Sequence, residues 1–465
     1  MKQNTDFVDL LLVFTDMGVP KLNIGADQLS KEIIQILTPD FINQLARETG
    51  FIVRESTKLD GYKFLDILLF TEFNHDKLSL NDLCVQLKKR YDIEISKQSM
   101  DERFSDCATN FFKKVLSNVI KVQIESDLDI DIGGFERVLI KDSTSFKLPA
   151  NMAEKYPGGS STKAGARIQF EYDLKNLTIT DLTLHPFNDQ DLKNAKDTVE
   201  EVNTGDLIVR DLGYIIIEVL RQIQAMGAYY LNRPSASAKI FELIGDKYVE
   251  INFKKIIKGM CQIQVDRLDL EVYIGAKELF KTRLIIELLP EQVYKERLKN
   301  AIAKAKKKGA TLSDDYQARL RLNLIITNTD IPADKVRLLY TLRWQIELMF
   351  KIWKSIGEID KVKKMKVERF EASLIAKLIW VALNWQIMKR IINAFFVKQK
   401  IELSPYKLFK TLRMYKNEFR EAVLGGVRKL INLINELVEI SPKYLVSEKK
   451  KDKAWSYDII RMFII

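Results

Sequence analysis

The chain has 465 residues, 46% of them hydrophobic, which is enough for a large core and suggests about two to four domains. Its 74 Lys and Arg outnumber 63 Asp and Glu, and the formal net charge of +11 suits a polyanionic partner. Three scattered cysteines with no CxxC pair, and only two histidines, argue against a disulfide framework, a Cys/His zinc site and histidine-based catalysis. Any metal must be held by carboxylates, which favours Mg²⁺ or Mn²⁺.

Residues 1–130 read as helical. The opening "DLLLVFTDMG" has a short apolar core interrupted by acids and does not read as a secretory signal, so the expectation is a reducing, cytoplasmic protein. Ser79 or Asn81 can cap a helix carrying Leu80, Leu83, Leu87 and Tyr91. After a break at 92–95, Ser96 caps a second helix, "KQSMDERFSD". Segment 79–105 therefore has the form of a helix-turn-helix whose second helix would enter a major groove; an ordinary helical hairpin has the same spacing.

From about residue 135 the texture changes. "ERVLIKDSTSFKLP", "ARIQFEYDLKN" and "LTITDLTLHP" read as a strand meander, and "GDLIVRDLGY" as a further buried strand. The helix "IIIEVLRQIQAMGA" and the strand "AYYLNRP" follow. Residues 131–237 and 310–366 thus read as one mixed α/β domain. Residues 238–309 read as a β-rich insertion: "KIFELIG", "YVEINFKKI", "CQIQVDRLDLEVYIG" and "KTRLIIELL" alternate, and the basic helix "EQVYKERLKNAIAKAKKKG" leads out. The strand "RLNLIITNTD" returns to the domain. Residues 367–465 read as a helical tail. Within it, "EASLIAKLIWVALNWQIMKRIINAFF" is broken by Lys377, Asn384, Gln386, Lys389 and Arg390, so it reads as a buried helix and not a membrane span.

The stretch "YTLRWQIELMFKIWKS", 340–355, reads as one helix. At about 100° per residue, with Tyr340 at zero, Arg343, Lys354, Glu347 and Lys351 fall between roughly −60° and +20°. Apolar side chains occupy most of the remaining circle. This single charged seam is either a solvent-facing ion-pair stripe or a set of buried charges that need partners. Two further acids close buried strands, Asp142 after "RVLIK" and Asp211 after "DLIVR". If those strands are neighbours, their carboxylates emerge at one edge and repel unless a cation bridges them. With Glu347 they make a three-carboxylate set suited to two hard cations and phosphodiester chemistry. Lys and Arg beside them would bind phosphate, and Tyr340 would stack on a base or bond a phosphate oxygen. His185, in "TLHPF", reads as structural.

The pattern Y-x2-R-x3-E-x6-K in "YTLRWQIELMFKIWK" resembles the signature of the DDE transposases of the bacterial insertion-sequence-four family, which have an RNase H-like core. "KDSTSFKLP" and "VRDLGY" resemble that family's two Asp motifs, and the β-rich insertion lies where the family carries one. The resemblance covers about 135–360. It implies an α/β, RNase H-like mixed sheet flanked by helices, with a helical DNA-binding region before it. Asp142, Asp211 and Glu347 would be the metal-binding catalytic triad, served by Mg²⁺ or Mn²⁺, two ions per site. Tyr340, Arg343 and Lys354 would hold DNA phosphates. Arg233, in "YYLNRP", matches a basic position of the family, whereas Lys351 shares the seam but lies outside the pattern. Some members hold a flipped base on an aromatic residue of the insertion, and Tyr273 and Phe280 are the candidates here. The resemblance further implies binding of terminal inverted repeats, cleavage at the ends and joining to target DNA. A homodimer in the synaptic complex and a bacterial, nucleoid-associated location follow. The competing readings are a catalytically silent DNA-binding regulator derived from a transposase, and an RNase H-like nuclease acting on other substrates.

Overall fold

A computed structural model describes residues 24–54, 58–71, 79–121, 132–176, 178–211, 214–235, 237–276, 278–307 and 309–448. The start segment "DLLLVFTDMG" and the tail beyond 448 lie outside these residues. The chain divides into two compact units.

One unit gathers described residues from 24–121 and 375–448, almost all helical. Its local signals are strong. Ser79 caps Leu80–Tyr91 in a capping box with Asp82, which settles the choice between Ser79 and Asn81. Ser96 caps the next helix, which is shorter than its sequence suggests: Lys97–Glu102 ends before a turn, and Asp106–Lys121 starts anew. Phe51, Phe64, Phe104, Phe111 and Phe112 stack at the centre of this region. Buried Asp66 is paired with Arg90 at 3.0 Å and Arg420 at 2.6 Å. An open groove of about 1030 Å³ is lined by Arg54, Lys58, Ser96, Ser99 and Arg103, among others. The apolar tail segment is part of the helix Val367–Gln399, buried along most of its length. No helix among the described residues is long and apolar enough to cross a membrane.

The other unit, residues 132–374, is built on one ten-stranded sheet in the order β3-β2-β1-β4-β5-β10-β9-β8-β6-β7. Its strands are β1 (Val138–Leu148), β2 (Ala164–Asp173), β3 (Thr178–Pro186), β4 (Leu207–Arg210), β5 (Tyr229–Asn232), β6 (Ile240–Ile244), β7 (Lys247–Glu250), β8 (Arg267–Ile274), β9 (Phe280–Leu288) and β10 (Leu322–Thr327). β1, β4 and β5 are parallel, and every other pairing is antiparallel. Central β4, "LIVR", is buried at every residue, as expected of a parallel strand covered on both faces. Edge strand β7 is exposed throughout.

The region read as a β-rich insertion supplies β6 to β9, which continue the same sheet through β10. Part of it is helical. "YVEINFKKI" keeps only β7, then turns into the helix Phe253–Gln262. Asn252 caps that helix by accepting from Lys255 N, and Phe253, Ile257 and Met260 make its buried stripe.

The stretch 340–355 is not one helix. Ala333–Thr341 ends in a turn at Leu342 and Arg343, and Trp344–Ser355 follows. Both junction residues keep right-handed helical angles, and their backbone bonds shorten to the i→i−3 type. Trp344–Ser355 packs on β1 and β2, with Trp353 fully buried and edge-on to Phe170 at 4.8 Å between centroids. The opposite face of the sheet carries an apolar cluster that includes Leu139, Ile208, Val219, Ile223, Tyr230 and Ile326. Trp353→Ala should destabilise the protein by about 3–5 kcal/mol. Chemical denaturation measures this, and a loss below about 1 kcal/mol would mean that the helix is not anchored through that side chain.

Candidate active site

Lys141 on β1 lies opposite Arg210 on the parallel strand β4. The next residue is an aspartate in each case, so Asp142 lies beside Asp211, which follows the end of β4; β1 does not close at Asp142, as its sequence suggested, but runs on to Leu148 in pairing with β2. Strands this close stand about 4.8 Å apart, and two unscreened carboxylates there repel. The helix Trp344–Ser355 supplies the third acid, Glu347, and the turn before it supplies a cation.

That cation is Arg343. Its Nη1 donates to Asp142 Oδ2 at 2.8 Å and its Nη2 to Glu347 Oε1 at 2.6 Å, with Asp211 Oδ2 3.6 Å away. The Arg343 side chain is only 7% exposed, so its charge requires these partners. Burial alone would lower its pKa, but Tyr340 and the surrounding carboxylates hold it above its ordinary value. Burial pushes Asp142 up to about 6, against the pull of the Ser143 N–H and Arg343.

Tyr340 donates its hydroxyl to Asp211 Oδ1 at 3.1 Å, and its pKa is raised, first by burial and then by that carboxylate. Arg233, half-buried just after β5, acts on Tyr340 through its charge in the opposite sense. Lys354 Nζ donates to Ser145 O on β1 at 3.1 Å. The structure thus gathers Asp142, Asp211, Glu347, Tyr340 and Arg343, with Arg233 and Lys354 at the margin. Lys351 is exposed on the same helix. Trp344, next to Arg343, is 57% exposed. Of the two insertion aromatics, Phe280 is buried against Tyr230, and Tyr273 packs edge-on to Tyr248. His185 bonds Thr183 and Asp189 on the β3 side of the sheet.

As they stand, no three acidic, His or Cys side chains among the described residues are close enough to hold one ion. The donor set nevertheless suits a hard cation: three carboxylates converge on one positive group, and the guanidinium occupies their common centre.

The chain matches the transposase DDE domain family over residues 133–384. It belongs to the DDE transposases. Similar proteins include the transposase for insertion sequence element IS231F of Bacillus thuringiensis subsp. israelensis, 30% identical over 81% of this chain and 83% of that protein. The transposase for IS231E of Bacillus thuringiensis subsp. finitimus is 29% identical over 93% of this chain and 94% of its own length. The transposase for IS1151 of Clostridium perfringens is 28% identical over 95% and 97%. The Drosophila P element transposase strand transfer complex aligns with a TM-score of 0.20 at 12% identity, a likeness too slight to bear on the fold.

The transposase has polar groups around its acids that the sequence did not single out. Ser143 Oγ and Asp191 accept from Arg167, and Gln169 links Asp191 to Tyr214. A basic residue stands directly before each aspartate, in "IKDS" and "VRDL", and that repeated pair was a readable signal. Removing the central cation should leave three carboxylates facing one another. Arg343→Gln should lower the stability of the metal-free transposase by about 1–3 kcal/mol. Thermal melting in excess chelator reads the change, and an unaltered midpoint would show that these ion pairs contribute nothing to the fold.

Proposed function

We propose that Asp142, Asp211 and Glu347 are the catalytic triad with which this DNA transposase performs strand cleavage and strand transfer. The observation that carries this is their convergence on one cation from β1, from the end of β4 and from a helix more distant in sequence. The core around β1 to β5 and β10 is read as RNase H-like, which the antiparallel meander leading into a parallel pair supports.

DDE transposases generally use divalent metal ions. Here Mg²⁺ or Mn²⁺, two per site, would be held by the three carboxylates and would supply an activated water and stabilisation of the leaving oxygen. The other residues follow from chemistry. Arg343 exchanges its carboxylate partners for a DNA phosphate, which its planar fork takes in bidentate fashion. Lys354 adds a point charge beside β1, and Tyr340 turns its hydroxyl from Asp211 to a phosphate oxygen or stacks on a base. Arg233 extends this positive margin, and Lys351 lies on the exposed side of the same helix.

The substrate is double-stranded DNA: the element's terminal inverted repeats, then target DNA. The region 1–130 is read as the end-binding part. The helix pair in 79–105 and the groove lined by Arg54, Lys58 and Arg103 are the surface to test. Residues 131–237 and 310–366 are read as the catalytic core, 238–309 as its insertion and 367–465 as the helical C-terminal region. Joining two ends calls for a homodimer in the synaptic complex, in the nucleoid-associated cytoplasm of a bacterium. A silent regulator is not favoured, because all three acids and the basic residues around them are present.

Asp142→Ala, Asp211→Ala or Glu347→Ala should abolish cleavage of DNA carrying the terminal repeat while end binding stays within a fewfold. Gel shift and nicking assays on one preparation decide it; binding lost along with cleavage would assign these acids to folding. Lys354→Ala should weaken binding and reduce the slope of log K against log salt by about 1. An unchanged slope would remove Lys354 from the phosphate ligands.

A further inference from the structure

Each aspartate of the candidate site follows a buried cation, Lys141 before Asp142 and Arg210 before Asp211. Pairing sets Lys141 opposite Arg210, Glu171 opposite Lys141, Asp181 opposite Glu171 and Asn232 opposite Arg210. One row of polar side chains therefore crosses β3, β2, β1, β4 and β5. Successive residues of a strand point to opposite faces, so this row lies on the far side of the sheet from the two aspartates.

The row is buried and charged. Lys141 is 0% exposed, Arg210 2% and Glu171 4%. Lys141 Nζ lies 2.9 Å from Asp181 Oδ2 and 3.9 Å from Glu171 Oε2, and donates to Thr198 Oγ1 at 3.4 Å. Arg210 Nη2 donates to the same Glu171 oxygen at 3.5 Å, and Thr180 Oγ1 donates to Glu171 Oε1 at 3.0 Å. Burial alone would raise the Glu171 pKa, but Lys141 and Arg210 hold it below its ordinary value.

Buried ion pairs are a costly way to make a core, and apolar residues of like volume are often as good or better for stability. What this row does is tie strand to strand at one level. Two carboxylates side by side, one within β1 and one just past the end of β4, tend to push those strands apart, and a shared anion behind them resists the separation. We infer that Lys141 and Arg210 are positioning residues for DNA cleavage: with Glu171 as their common counter-ion they hold β1 and β4 in register, and so hold Asp142 beside Asp211. This rests on the reading of both aspartates as catalytic.

The test uses the full-length transposase and a duplex with the element's own terminal sequence. It compares wild type with Asp142→Ala, Glu171→Asp, Lys141→Arg, Lys141→Met and the apolar triple variant K141M/E171M/R210M. Glu171→Asp and the triple variant should melt as folded proteins and bind the duplex within about twofold of wild type. They should cleave about a hundredfold more slowly, the loss expected of a misplacement near 1 Å. Calorimetric titration with Mn²⁺ alone should show affinity weakened about tenfold. Lys141→Arg should cleave far better than Lys141→Met. Wild-type cleavage rate and Mn²⁺ affinity in either folded row variant would overturn the inference, as would equal activity of Lys141→Arg and Lys141→Met. Cleavage by Asp142→Ala would instead overturn the catalytic reading on which it rests.

Discussion

One buried guanidinium faces three carboxylates, and the architecture of the catalytic unit follows from bringing them together. Arg343 sits where its charge has little access to water, so its partners must come to it. Two of them can only come from adjacent parallel strands, because the Lys141–Arg210 register puts the next two residues side by side. The third has to come from a helix laid over those strands. This is why Trp344–Ser355 is apolar on most sides: Phe350 and Trp353 press it onto Phe170 while Glu347 reaches Arg343.

The sheet thus has two polar levels with opposite tasks. On one face the acids and Arg343 form a partly open cluster whose bonds are exchangeable. On the other face Lys141, Glu171 and Arg210 form a buried row, each at most 4% exposed. If the site exchanges these partners for DNA, as proposed, it needs a support that does not move with it. The division of charge between the two faces provides this, because the acids of the open level are far more exposed, Asp211 at 32% and Glu347 at 46%.

Much of this was legible in the sequence. The apolar runs before Asp142 and Asp211 marked buried strands, and the 3.6-residue period collected the charges of the helix onto one seam. What escaped was set by competition or by distance. At 251–253 an alternating pattern and a helical one share residues, and the cap at Asn252 decided for the helix. The turn at Leu342 and Arg343 changes no residue preference and keeps helical angles, so nothing in composition marks it. Phe280 is indistinguishable by type from an exposed aromatic, and only its place in the core against Tyr230 removes it from contact with a base. The charged row depends on strand pairings between residues up to 69 positions apart, and a lone Lys or Arg within a strand points equally well to a solvated face.

The charge balance of the site also explains the basic residues gathered around it. Three carboxylates against one guanidinium leave the centre net negative, and a phosphodiester approaching it would be repelled. Lys354 and Arg233 stand at its margins, one bonded to β1 at Ser145 O and the other just beyond β5. Positive charge brought to the centre would offset the acids and would compete with Arg343 for Asp142 and Glu347. On the proposed reading, exchange of these carboxylates for a DNA phosphate would turn a repulsive pocket into an attractive one without moving the strands that carry the acids.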